Sequence, residues 1–398
     1  MDYKLVKKCR VCGSAKLKKY IDFGEQPLAN SLKQRSKKYP LKVLLCQNCH
    51  LSQLSIVVKP EILFKDYPYH SSISNTFKEH CSKMARTVKR MLRNYNPLVV
   101  DIASNDGALL SQFKEHGFYV MGVEPSKNLA KESNDNGIDT INEFFSQEVS
   151  ERIPACHVVT ATNVLAHVDD LYGFIKPIVK LIKKNDNGFL VVEVPYLYDL
   201  ISKNQFDTIY HEHLSYFLLK PLVKLFESCG LPIFKVERHK IHGGSIRIYA
   251  SPYLHTVERS VQDLLDFEDV VGMYELDTYL DFEKRVRSVK FNLVRAISYA
   301  NKCGLKVVGY GASAKGTMLI NQCGIKKSEL RYVVDDTPDK QGRNISGSNI
   351  PIVHFSNLKD TKPNYILLLA WNFSKEIMDK TKDIGARYII PIPEVVIT

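Results

Sequence analysis

The sequence predicts an α/β protein in three parts, and three observations predict it. Two Cys-x-x-Cys pairs stand near the N-terminus, at Cys9/Cys12 and Cys46/Cys49. A strand, turn, helix and second strand follow one another from Leu98 to Ser126, and the second strand ends on an acid. Another such unit opens at Lys306 around a glycine-rich turn. A chain of 398 residues exceeds the usual single domain, and 44% hydrophobic residues supply the cores. The expected domains are 1–73, 74–255 and 256–398.

The first part is read from its cysteines. The pairs are separated by 33 intervening residues, from 13 to 45, whereas Cys81, Cys156, Cys229, Cys303 and Cys323 are scattered singly. In a reducing compartment the paired set reads as four thiolate ligands of one closed zinc site, with a structural role because no coordination position stays open. Gly24 to Asn30, between the knuckles, is a polar turn expected to face the active site. Phe64 to Ser72 interleaves Tyr67 and Tyr69 with hydroxyls, which suits equally the lining of a sugar pocket and a loop whose tyrosines pack under the cysteine domain, and it leads into a helix from Asn75 to about Arg93.

The central part is organised by its first turn. Leu98, Val99 and Val100 form a buried parallel strand ending at Asp101, and Ser104-Asn105-Asp106-Gly107 turns into the helix from Ala108 to about His116. Tyr119 to Val123 is the next strand, with Glu124 and Pro125 where a nucleotide-binding sheet places its ribose ligand. The turn lacks GxGxxG and carries acids. Asp101 and Asp106 would repel a pyrophosphate, yet suit a cofactor with a sulfonium and an amino group, which describes S-adenosylmethionine.

Further strands at Val158 to Ala161 and Phe189 to Val194 bring Asn163, His167, Glu193 and Tyr196 to the carboxyl end of the sheet. Glu193-Val194-Pro195-Tyr196 lacks the first proline and the amide of the signature for methylating exocyclic amines. Tyr210-His211-Glu212-His213 is the densest catalytic-looking segment. Its histidines are two apart, so it is not the HExxH pair of a zinc protease, and a histidine titrating near neutrality beside a carboxylate suits a general base. His242 to Tyr249 reads as a glycine turn into a strand, offering Arg247 to a phosphate, with a buried structural Arg as the competing reading.

A mixed-charge helix from Ser260 to Cys303 then separates the globular units. Beyond it, Lys306 to Tyr310, the turn Gly311 to Gly316, Tyr332 to Val334 ending on Asp335, and Ile366 to Ala370 repeat a nucleotide-type pattern. This turn offers Gly311, Ser313 and Lys315, a cation and no acid, so it fits an anionic ligand such as a diphosphate.

These residues together resemble the sugar C-methyltransferases, of which the 3-C-methyltransferases acting on nucleotide-linked 4-keto deoxysugars are best known. The cysteine pairs, Gln26 to Asn30, Asp101 to Gly107, Gly122 to Ser126, Asn163 to His167, Tyr210 to His213, His242 to Arg247 and Gly309 to Gly316 carry the resemblance over the whole chain. It departs at Asp101, usually Glu, and at Ala103, usually Gly. The resemblance implies a zinc-binding domain, a class I S-adenosylmethionine methyltransferase domain of Rossmann-like form, and a C-terminal Rossmann-like domain for the substrate nucleotide. It implies His213 as the base that removes a C3 proton, Glu212 as its partner, and Tyr210, His167 and Tyr69 or Tyr67 as donors around an enolate oxygen. Asn30, Arg247, Gly311, Ser313, Lys315 and Asp335 would contact the nucleotide-diphosphate sugar, dTDP- or GDP-linked.

The net charge of +12 also fits a zinc-ribbon methyltransferase acting on RNA or DNA, but Lys and Arg are spread along the chain, so no nucleic-acid partner is expected. A related enzyme acting on a keto sugar without methylating carbon is a third reading, separable by product mass. No apolar run suits a membrane span or a secretory signal, and a cytoplasmic monomer or weak homodimer is expected.

Overall fold

The computed structural model describes residues 2–31, 37–63, 75–92, 97–182 and 188–398. Tyr67 and Tyr69 lie outside the described residues. The N-terminal part contributes β1 (Tyr3–Leu5), β2 (Leu17–Pro27), β3 (Lys38–Cys46), β4 (Ser52–Leu54) and β5 (Ile56–Val58). Then come β6 (Leu98–Ile102), β7 (Tyr119–Val123), β8 (Thr140–Ile141), β9 (Val158–Thr162), β10 (Phe189–Pro195), β11 (Ser215–Tyr216), β12 (Ile233–His239) and β13 (Ser245–Ala250).

Strands β6 to β10, β12 and β13 form one sheet in the order β12-β13-β10-β9-β6-β7-β8. The five from β6 to β10 are parallel, and β13 runs antiparallel between β10 and β12. This is the class I methyltransferase sheet. β10 is buried along nearly its whole length because helices cover both faces, so its sequence Phe-Leu-Val-Val-Glu-Val is apolar without alternation. The strand order reverses between β6 and β9, and the crevice at their carboxyl ends is where an open α/β sheet binds its ligand.

The zinc-binding part is knitted into this domain. β11 lies far from β4 in sequence, yet it pairs with it antiparallel, Ser215 opposite Gln53 and Tyr216 opposite Ser52, to complete a sheet β11-β4-β3-β2. Arg10 reinforces the join by donating to Asp169 and to the Leu214 carbonyl, at 3.1 and 3.0 Å. The strand that follows the Tyr210 to His213 segment is therefore fixed by the cysteine domain.

The expected linker helix is two helices, Arg259–Val270 and Leu276–Lys302, broken at the turn around Gly272 (φ 72°). Tyr279, Phe282, Val286, Val289 and Leu293 recur at helical spacing and bury one side of the longer helix. The C-terminal sheet holds β14 (Val307–Tyr310), β15 (Val333–Val334), β16 (Ile352–Val353), β17 (Tyr365–Leu368), β18 (Arg387–Ile390) and β19 (Val396–Ile397), ordered β16-β15-β14-β17-β18-β19. β14 to β18 are parallel and β19 is antiparallel, a Rossmann-like order. Among the described residues no helix is long and apolar enough to cross a membrane.

Candidate cofactor and catalytic site

The four cysteine sulfurs lie within 4.8 Å of one another. Each knuckle closes on itself, Gly13 N donating to Cys9 O and His50 N to Cys46 O, both at 2.9 Å, with Gly13 and His50 at positive φ. Four convergent soft donors fit a tetrahedral zinc ion.

At the reversal of the central sheet, the turn after β6 is built from backbone seldom seen outside glycine. Ala103 has φ 60° and Asn105 φ 53°, and across the crevice Asn163, after β9, has φ 55°. Such strained positions cluster where a ligand is held. Glu124, at the end of β7, accepts from Asn105 N at 2.9 Å and from Ser126 N at 2.8 Å, so its carboxylate is aimed beside the turn. Gly122 lets the turn approach, since a Cβ there would meet Ser104 Oγ at 2.5 Å. Asp101 is buried and accepts from Thr160 Oγ1 at 2.6 Å, and burial pushes its pKa up to about 7. Burial also raises Glu124, against the two backbone N–H bonds. Asp106 accepts from Ala108 N at 3.3 Å. Ser104 Oγ is buried with no hydrogen-bond partner among the described residues. Buried acids, an unpaired hydroxyl and a turn with no basic side chain fit a cationic, hydroxyl-rich cofactor better than a pyrophosphate.

The Tyr210 to His213 segment divides its histidines. His211 is buried toward the cysteine domain, 3.2 Å from the Tyr39 carbonyl, whereas His213 turns inward with its ring centroid 4.1 Å from Tyr210 and 5.0 Å from His167. His213 Nδ1 donates to Thr208 O at 2.8 Å, so the Thr208 carbonyl and not the expected Glu212 orients the ring, and Nε2 carries its lone pair. Burial, with His167 next, lowers the His213 pKa well below 6.5, and burial brings His167 down to about 4. Both rings are neutral at neutral pH, and burial takes His213 below the near-neutral titration expected of it. Asn30 Nδ2 donates to both Glu212 oxygens at 2.8 Å, which brings the polar turn of the cysteine domain to this segment.

Arg247 is corrected by its surroundings. Of its two readings, phosphate ligand and buried structural Arg, the surroundings fit the second: its side chain is 2% exposed and pairs with Glu193 at 2.7 Å, with His80 Nε2 2.8 Å away. Burial would raise Glu193, but His80 and Arg247 outweigh it and hold it at about 2. Arg247 is thus spent inside the protein. In the C-terminal turn, Gly311 has φ 96°, Ser313 caps the following helix by accepting from Gly316 N, and Asp335 accepts from Ala312 N at 2.7 Å. Those residues shape the turn. Lys315 leaves it toward the central domain and donates to the His242 carbonyl at 3.2 Å. His80 beside Arg247, and Asp207 and Trp371 beside Lys315, belong to no sequence motif and reach their places through contacts between distant segments. The chain's single tryptophan was the one available signal.

Over 98% of its length, and 96% of the relative's, the chain is 38% identical to the C-methyltransferase NovU of Streptomyces niveus. The chain belongs to the C-methyltransferase family. Three family models match this C-methyltransferase in order: "Putative zinc binding domain" over residues 9–64, "Methyltransferase domain" over 76–236 and "C-methyltransferase C-terminal domain" over 240–393. Among solved structures it matches magnesium protoporphyrin IX methyltransferase (ChlM) from Synechocystis PCC 6803 with bound SAM, at 12% identity, covering 44% of this chain and 78% of that one with a TM-score of 0.34. The PH0226 protein from Pyrococcus horikoshii OT3 matches at 11% identity, 46% and 95% coverage and a TM-score of 0.38. The chain is an S-adenosylmethionine-dependent methyltransferase with a zinc-binding domain.

Proposed function

We propose that this C-methyltransferase methylates C3 of a nucleotide-linked 4-keto-6-deoxy sugar, dTDP- or GDP-linked, in branched deoxysugar biosynthesis. The observation that carries the reading is His213, a buried neutral imidazole whose Nδ1 hydrogen bond to Thr208 O leaves Nε2 as the basic atom beside Tyr210 and His167. A carbonyl at C4 acidifies the C3 proton. His213 Nε2 takes that proton, and the C–H electron pair passes into an enolate whose oxygen is met by Tyr210 and His167 as donors. Glu212, held by Asn30, supports the segment. S-adenosylmethionine, when bound, would supply the electrophilic methyl group to C3. Glu124 and Pro125 would hold the ribose, and Asp101, Ser104, Asn105, Asp106, Gly107 and Asn163 the rest of the cofactor. Lys315 would meet the diphosphate, with residues 1–73 binding zinc, 74–255 the cofactor and 256–398 the nucleotide.

The test separates deprotonation from transfer. With the keto sugar and a non-methylating cofactor analogue, the wild type should exchange the C3 hydrogen with heavy water, and His213→Asn should lose both exchange and methylation by roughly two or more orders of magnitude. Exchange at the wild-type rate in the variant would make His213 a positioning residue and move the base to Tyr210 or His167.

A further inference from the structure

The turn Phe206–Thr208 stands between the central sheet and the C-terminal domain. Thr208 supplies the carbonyl that orients His213, and the residue before it, Asp207, is fully buried. Asp207 Oδ2 accepts from Trp371 Nε1 at 2.6 Å, and the Lys315 ammonium lies 5.2 Å from the centroid of the Trp371 ring. Gln322, on the same helix as Lys315, donates to Ile209 O at 3.0 Å and fastens the turn to that helix. Burial pushes the Asp207 pKa up to about 6, while Lys315 and then the Trp371 bond oppose it.

Accepting an indole N–H does not require a charge. An amide or a carbonyl would accept it without the desolvation that a buried carboxylate costs, so the charge needs a second reason. Lys315 supplies one. Its ammonium spends one N–H on the His242 carbonyl, and an ammonium on a flexible four-carbon stem has no preferred direction unless its surroundings impose one.

We propose that Asp207 is a positioning residue for substrate: it holds the Trp371 indole against which the Lys315 ammonium rests, and its charge draws that ammonium into line with the diphosphate of the nucleotide sugar. The proposal rests on the assignment of Lys315 to that diphosphate. It also gives the Phe206–Thr208 turn two tasks, since the same turn orients the base and the cation. The anionic and reacting halves of the substrate are then registered against each other through adjacent residues, Asp207 and Thr208.

The test is a double-mutant cycle on the full-length holoenzyme, reading KM for the nucleotide sugar, kcat and S-adenosylmethionine affinity. Asp207→Asn keeps an acceptor for Trp371 and removes the charge. It should raise KM about tenfold while cofactor affinity holds, and in a Lys315→Ala background the same substitution should change KM by less than about twofold. Trp371→Phe, which keeps a ring and loses the N–H, should also raise KM and serves if the Asp207 variant does not fold. An unchanged KM in Asp207→Asn, or an equal effect with and without Lys315, overturns the proposal. If Lys315→Ala alone leaves KM unchanged, the diphosphate assignment fails; if it raises KM and the two substitutions simply multiply, only the role of Asp207 fails.

Discussion

Asn30 and Glu212 are joined by two 2.8 Å hydrogen bonds from one side-chain amide to both oxygens of one carboxylate, across 182 positions of sequence. Glu212 is 2% exposed, so its charge depends on such donors. Asn30→Ala should therefore cost roughly 1 to 3 kcal/mol of stability and lower methyl transfer. Denaturant unfolding and kcat, measured together, check it. An Asn30→Ala protein with unchanged values for both would show that this contact between the cysteine domain and the catalytic segment is idle.

The same junction determines what zinc removal does. The protein should carry about one zinc per chain, and stripping it or making Cys9→Ser should lower stability. Because β11 follows the catalytic segment directly and pairs with β4, metal loss should also lower turnover, with the decline in kcat tracking the decline in bound zinc. Metal analysis alongside kcat distinguishes this from a zinc domain that is merely attached.

Ala103 sits at φ 60°, where a Cβ costs about 1 to 2 kcal/mol and glycine has no such penalty. Glycine's greater unfolded freedom returns roughly 0.5 to 1 kcal/mol of that. Ala103→Gly should accordingly raise the melting temperature slightly and leave cofactor affinity intact. A lower melting temperature would mean that neighbouring contacts outweigh the backbone strain.

His211 makes the protein acid-sensitive. Burial against the Tyr39 ring lowers its pKa to about 4, outweighing the carbonyls of Tyr39 and Pro40, which raise it, so it lies below the 6.5 of the unfolded chain. The unfolded state then binds the extra proton between those values, so this contribution is intact above pH 6.5 and is lost as pH falls toward 4. His211→Gln keeps a donor for the Tyr39 carbonyl and does not titrate. The stability of wild type relative to that variant should fall by roughly 2 kcal/mol between pH 7 and pH 5, as urea melts at the two pH values would record.

The sequence by itself determined what local spacing encodes. A Cys-x-x-Cys knuckle closes within five residues, an apolar run ending at Asp101 before Ser-Asn-Asp-Gly is a buried strand and its turn, and the acid ending the next strand lands beside that turn because parallel neighbours end level. Hence the three-part α/β architecture, the four sulfurs and the placing of Glu124 could be read without coordinates. Only the tertiary structure decided which of two histidines turns inward, since His211 and His213 differ by what packs around them and not by their own chemistry. Arg247 shows the same limit. Its pattern permits a phosphate, but Glu193 on the adjacent strand and His80 on a distant helix occupy it, and an ion pair between strands leaves no periodic trace. Lys315 meets His242 and the Trp371 ring for the same reason: side chains converge across a domain boundary through packing that burial of apolar surface drives, and that force is blind to sequence separation.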